Sequence, residues 1–126
     1  MKPLVDALMI GCGGALGALL RYAIHESTLK LTSKFPLGTL ISNTIGCFLI
    51  GVLIGSGRSE KNPVLKLAFG VGFLGALTTF STFGGETVTQ AQSGNWSIAT
   101  ANVAANIGFG LVAVVLGIVA GRKFFA

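Results

Sequence analysis

The sequence predicts an all-α integral membrane protein with four transmembrane helices, on three observations. Only 9 Lys/Arg and 4 Asp/Glu occur among 126 residues, or 10% charged, against about 25% in a typical soluble domain. Long stretches carry no charge at all: residues 7–20, 35–57, 67–85, and everything between Glu86 and Arg122. Between these stretches lie only short polar connections, Ser27 to Lys34 and Ser56 to Asn62. Roughly 20 apolar residues cross a bilayer core, so four helices and their loops use up the chain. The expectation is a single transmembrane domain over residues 1–126 with no soluble appendage, its spans near 4–24, 36–57, 64–89 and 96–121.

In the first span, Lys2 precedes an apolar run that looks like a secretory signal. Gly11, Gly13, Gly14 and Gly17, and the continuation Arg21-Tyr22-Ala23-Ile24, argue instead for a retained helix. Arg21 has two readings: it snorkels to the interface, or it sits in a vestibule and attracts anions. Pro36 opens the second span, where it costs no hydrogen bond. There Thr39, Asn43 and Gly46 fall about one turn apart and make a narrow polar stripe. Pro63 opens the third span. Gly70, Gly72 and Gly75 then precede Leu77-Thr78-Thr79, and the backbone either breaks near Gly75–Thr79 or continues as a helix whose hydroxyls bond back to the preceding turn. A break would free carbonyls for a cation and amide N–H groups for an anion. Polar residues 90–97 form a loop, and the fourth span starts near Trp96 and carries Asn102 and Asn106 on one face. Tyr22 and Trp96 suit membrane interfaces.

Close helix packing is written in the glycines. Gly13/Gly17, Gly51/Gly55 and Gly117/Gly121 repeat at four-residue spacing, which lets helix backbones approach in lipid. Four short helices enclose little, so oligomerisation is expected. Cys12 and Cys47 lie in apolar spans as small filler, far from any CxxC spacing.

The most informative stretch is Gly75 to Glu86, with Thr87 directly after it. Thr78, Thr79, Ser81, Thr82 and Thr87 crowd one of the most apolar parts of the chain, and hydroxyls at membrane depth are tolerated where they meet protein or line a watery path. Phe80 and Phe83 share a helix surface at i, i+3, and aromatic ring edges carry partial positive charge. Asn43, Asn102 and Asn106 act either as interhelical glue or as donors and acceptors along a polar pathway. Glu86 is either a proton-titrating group or an ordinary contact at a helix end. No second carboxylate or intramembrane His supports a proton relay, His25 falling in a polar connection.

Several functions are excluded. No His/Cys/Asp/Glu cluster has metal-ligand spacing, and no phosphate loop or nucleophile–base pair is visible, so an enzyme is not expected. The net charge of +5 is dispersed over span ends, whereas a nucleic-acid footprint needs clustered Lys/Arg. With the N-terminus inside, Lys2, Arg58, Lys61, Lys66, Arg122 and Lys123 face the cytoplasm, against Arg21, Lys30 and Lys34 outside. That bias specifies orientation only weakly.

Gly13-Gly-Ala-Leu-Gly-Ala-Leu-Leu-Arg-Tyr22, Pro36-Leu-Gly-Thr39 with Asn43 and Gly46, and Gly72-Phe-Leu-Gly75 running into Thr78-Thr-Phe-Ser-Thr-Phe83 and Glu86 resemble the Fluc fluoride channels, or CrcB family. The fourth span matches by position and hydropathy more than by motif. The resemblance implies passive export of fluoride across the cell inner membrane by an antiparallel, dual-topology homodimer with two pathways, needing no nucleotide. It implies that Phe80 and Phe83 match the pore-lining Phe pair and Asn43 the ion-binding Asn. Thr39, Thr79, Ser81 and Thr82 supply hydroxyls, and Asn106 falls near a polar pore-lining position. Arg21 matches a vestibule residue, and the Gly75 and Thr78 carbonyls match positions that hold a structural sodium ion at the dimer interface. Against this stand a proton-coupled small-solute or anion antiporter relying on Glu86, and a scaffold that transports nothing. A four-helix drug/proton exporter needs an acid deep in its first helix, and residues 7–20 contain none.

Overall fold

The computed structural model describes residues 2–31 and 34–125, all of the regular structure being helical. Helix α1 covers Lys2–Leu29, α2 covers Leu37–Ser56, and a single turn, α3, covers Arg58–Lys61. A π-helical segment, Leu65–Leu74, runs into α4, Gly75–Leu77; then come α5, Phe80–Gln92, and α6, Trp96–Phe125. By length and hydropathy, Lys2–Leu29, Leu37–Ser56, Leu65–Gln92 and Trp96–Phe125 are each able to cross a membrane. Many large apolar side chains point outward, among them Leu16, Leu19, Leu111, Val115 and Leu116. In water such a surface would aggregate, and in lipid it is simply wetted. The chain is a multi-pass membrane protein.

Helix α1 is longer than its apolar pattern suggests. His25 and Ser27, expected in a polar connection, sit on its last turns. The Ser27 hydroxyl donates to the Ala23 carbonyl (2.7 Å) and that of Thr28 to the His25 carbonyl (2.9 Å), so hydroxyls that favour a turn in other settings are absorbed by the helix. Thr32 and Ser33, from the same expected connection, lie outside the described residues. At the other end of α2, Gly57 (φ 63°) takes the left-handed cap position and donates its N–H to the Ile54 carbonyl. Gly94 (φ 79°) does the same after α5, with Asn95 N–H reaching back to the Gln90 carbonyl at 2.9 Å. Both are the ordinary glycine solution to ending a helix sharply.

Two seams hold the bundle together: α2 against α6, and α1 against the π-helical segment. Along the first, Gly51 faces Gly117, and Gly55 faces Gly121, so closely that a Cβ on any of them would strike the opposing backbone. Along the second, Gly13 and Gly17 sit against the backbone of Ala68 and Phe73, and Gly72 against that of Ile10 and Gly14. The four-residue glycine repeats are therefore spent inside one chain, which withdraws them as an argument for association between copies. Gly117→Leu should push α2 and α6 apart. Forcing in side-chain volume of this kind costs about 1–3 kcal/mol or more. The expected result is a lower unfolding midpoint in detergent, read by tryptophan fluorescence of Trp96.

Candidate functional site

The site forms where the third span changes path. Helix α4 ends at Leu77, and Thr78 (φ −84°, ψ 151°) and Thr79 (φ −151°, ψ 114°) are extended before α5 begins at Phe80. Thr78 keeps contact with the turn behind it, its N–H (3.1 Å) and its hydroxyl (3.0 Å) both donating to the Leu74 carbonyl. Thr79 faces forward instead: its Oγ1 accepts from the Thr82 N–H at 3.2 Å and so caps α5. Its hydroxyl also lies 3.0 Å from that of Thr82 and 3.2 Å from that of Ser81.

Extended residues inside a membrane leave peptide groups that need partners, and Asn43 of α2 supplies them. Its Oδ1 accepts from the Thr79 N–H at 2.8 Å, and its Nδ2 donates to the Thr79 carbonyl at 3.3 Å. One amide thus clamps both polar groups of one peptide residue. In an unbroken helix that N–H would serve the Gly75 carbonyl. Gly46, one turn beyond Asn43, lets Thr78 close on α2, since a Cβ there would overlap the Thr78 methyl group. Gly46→Ala should displace Thr78, and a loss of its bond to Leu74 would cost about 0.5–1.5 kcal/mol. A lower unfolding midpoint in detergent, with unchanged expression, is the expected outcome.

Asn43 also donates to Asn106 Oδ1 at 3.0 Å. Asn106 in turn donates to Oδ1 (2.9 Å) and the carbonyl (3.0 Å) of Asn102, which is fully buried. Asn102 donates to the Thr87 hydroxyl at 2.9 Å, and Thr87 to the Phe83 carbonyl at 2.7 Å. The asparagines on α2 and α6 consequently form one chain of bonds linking the Thr79 peptide to α5. Thr39 stands apart from it, donating to Glu86 Oε1 at 2.8 Å. Glu86 Oε2 is buried and, like the Ser42 hydroxyl, has no hydrogen-bond partner.

Clefts open on both sides of Thr79. One, of about 490 Å³, is bounded by Asn43, Asn106, Phe80, Phe83, Gly75 and Thr78, with Cys47, Ile50 and Ile107 completing its walls. The other, of about 320 Å³, is bounded by Arg21, His25, Thr39 and Thr82. Thr79 belongs to both. Phe80 and Phe83 meet at 5.6 Å between centroids with an interplanar angle of 57°, a tilted rather than face-to-face pairing. Phe80 is 83% exposed, and Ser81 is exposed beside it. Asn43, Asn106, Phe80, Phe83, Thr79, Gly75 and Thr78 therefore come together at the larger cleft, and Arg21, Thr39 and Thr82 at the smaller one. Asn102 and Thr87 complete the chain of bonds. Asn102 was visible as the i, i+4 partner of Asn106, but nothing in the sequence distinguished its buried role. Cys47, Ile50 and Ile107 carry no signal, because apolar lining is indistinguishable from packing. Among the described residues no three His, Cys, Asp or Glu side chains converge as a metal site.

These features define a class: a multi-pass membrane protein whose third span carries an extended stretch clamped from the second span beside two clefts. The chain belongs to the CrcB family, whose profile (CrcB-like protein, Camphor Resistance (CrcB)) matches residues 8–118. Proteins named fluoride-specific ion channel FluC are similar over nearly the whole length. That of Clostridium novyi (strain NT) is 42% identical over 125 residues, covering 97% of this chain and 98% of the relative. That of Shewanella baltica (strain OS185) is 46% identical over 114 residues, or 89% and 92% of the two chains. That of Shewanella woodyi (strain ATCC 51908 / MS32) is 47% identical over 114 residues.

Proposed function

We propose that the chain is one subunit of a fluoride-selective channel through which cytoplasmic fluoride leaves passively. The observation that carries this is the clamped, extended Thr78–Thr79 stretch, flanked by hydroxyls and by two Phe rings and opening to a cleft on either side. Relatives at 42–47% identity named as fluoride channels support it. Fluoride is small and tightly hydrated, so a selective path must replace its water with donors and electropositive edges. Thr39, Thr79, Ser81 and Thr82 bear hydroxyls, Phe80 and Phe83 bear edges, and Arg21 draws anions to the mouth of the smaller cleft. Asn43 takes part by exchange: its 3.3 Å bond to the Thr79 carbonyl is long, and that N–H is the one a passing anion can borrow. Asn106 keeps the other N–H of Asn43 occupied and so fixes the orientation of the amide.

The direction follows from energetics. HF crosses lipid neutral, loses its proton in the cytoplasm and leaves the anion trapped. A potential negative inside drives an anion outward by about 2.3 kcal/mol per 100 mV. Neither nucleotide nor proton coupling is needed.

A homodimer completes the site. Phe80 lies bare, the larger cleft is open, and Gly75, Gly84 and Gly85 have nothing within 4 Å of a would-be Cβ. That face of the third span is free for a second copy, and the weak charge bias of the loops allows the two copies to insert antiparallel. At such an interface Gly75 and Thr78 suit a sodium ion. Hard cations take oxygen ligands, and the N–H that would otherwise engage the Gly75 carbonyl is committed to Asn43. Bound there, sodium would supply positive charge that holds two carbonyl-rich backbones together. Exchanging sodium for a large organic cation during purification should shift the dimer toward monomer on size-exclusion chromatography. A dimer unchanged after long exchange would count against this cage.

The function itself is tested by fluoride efflux from proteoliposomes, with chloride as control and with and without a pH gradient. Release of fluoride but not chloride, insensitive to the gradient, is expected. Vesicles that hold fluoride as well as empty ones overturn the reading. A second reading, proton-coupled antiport, draws on the unpartnered buried Oε2 of Glu86. It requires efflux to follow the pH gradient and Glu86→Gln to abolish that dependence.

A further inference from the structure

At the end of the bundle where α2 gives way to α3 lies a cleft of about 330 Å³ that shares Ile50 and Gly70 with the larger cleft but none of its polar residues. One wall is apolar, made by Ile50, Leu53 and Ile54 of α2 and by Val71 of the π-helical segment. Ile54 and Val71 are more than half exposed. Its mouth is polar and carries both signs of charge: Lys66 from the π-helical segment, and Ser59 and Glu60 from α3. Lys66 and Glu60 line one cleft without forming an ion pair with each other. Among the described residues no side-chain partner of either is found.

The placement sets what fits. The apolar wall lies within the spans Leu37–Ser56 and Leu65–Gln92, and the mouth lies at their ends, so hydrocarbon depth meets the headgroup layer along this cleft. An occupant with an acyl chain below and a polar head above matches both walls. Lys66 and the Ser59 hydroxyl suit a phosphate, by charge and by O–H donation. Glu60 would repel a purely anionic head, but it accepts N–H bonds from a primary ammonium. A quaternary choline has no N–H to offer.

We propose that this cleft is a site for an aminophospholipid, with phosphatidylethanolamine as the fitting headgroup chemistry. Lys66 and Ser59 hold its phosphate, Glu60 holds its ammonium, and one acyl chain lies along Ile54 and Val71. The pairing distinguishes this lipid from phosphatidylcholine by the missing N–H and from phosphatidylglycerol by the carboxylate.

The test is lipid retention by the purified protein, read by native mass spectrometry after mixing with equal amounts of phosphatidylethanolamine, phosphatidylcholine and phosphatidylglycerol. Retention of the ethanolamine lipid roughly threefold above each of the others is expected, the size of one good charged contact at a wet interface. Glu60→Gln should remove that preference and raise phosphatidylglycerol. Lys66→Gln should weaken all three. Glu60 and Lys66 are exposed, and an unchanged elution volume will show that the variants fold. Equal retention of ethanolamine and choline lipids by the parent protein overturns the proposal. So does strongest retention of phosphatidylglycerol, or a preference that survives Glu60→Gln.

Discussion

Asn43→Ala should lower fluoride efflux by at least about tenfold and destabilise the protein at the same time. The side chain bonds the N–H and the carbonyl of Thr79 and the Oδ1 of Asn106. Alanine leaves the Thr79 peptide groups without partners at a depth where water is scarce. Each buried group so stranded costs about 1–3 kcal/mol. The measured worth of polar contacts in membranes is smaller, about 0.6–2 kcal/mol, so a total near 2–4 kcal/mol is the reasonable expectation. A barrier raised by about 1.4 kcal/mol already means a tenfold slower step. Asn43→Asp separates the two roles. It keeps an acceptor for the Thr79 N–H but loses both N–H donors and sets a carboxylate beside the pathway. Its stability should fall less than that of the alanine variant while efflux is lost as completely. Full efflux from Asn43→Ala would show that neither the clamp nor the borrowed N–H matters.

The same residue shows how far the sequence carries. Four spans, their order and a helical membrane class follow from where charge is absent, because the hydrocarbon layer penalises charge whatever the tertiary packing. The crowding of hydroxyls after Gly75 marks a polar interior for the same reason. What the sequence leaves open is partner choice. A threonine at membrane depth either bonds back along its helix or caps the next one, and here neighbouring residues do one each: Thr78 returns to Leu74, and Thr79 caps Thr82. The partner of Asn43 depends on how near α2 comes to Thr78, and Gly46 sets that approach. The glycine repeats announce close contact but not with whom, and they close within the chain. The extra turns of α1 escape a hydropathy reading because Ser27 and Thr28 satisfy themselves on the helix backbone.

Phe80→Ile and Phe83→Ile should each cut fluoride efflux about three- to tenfold while the fold stays intact. The expected effect is electrostatic rather than steric. Isoleucine is apolar and bulky, but it has no quadrupole and no electropositive rim. Edge interactions of aromatic rings are worth about 0.5–1.5 kcal/mol beyond their buried area, and a barrier raised by that much slows passage by roughly this factor. Phe80 makes the cleaner experiment, because at 83% exposure it contributes almost nothing to the packing of its own subunit. Phe83 is half-buried and supports the Phe80 ring at 5.6 Å, so its loss should also loosen the neighbouring ring. Phe80→Tyr keeps an aromatic rim and should retain more efflux than Phe80→Ile. The readout is initial efflux from proteoliposomes at matched protein density, with elution volume confirming an unchanged assembly. If both isoleucine variants conduct like the parent protein, ring edges play no part in carrying the ion, and hydroxyls and the Asn43 amide must do so alone.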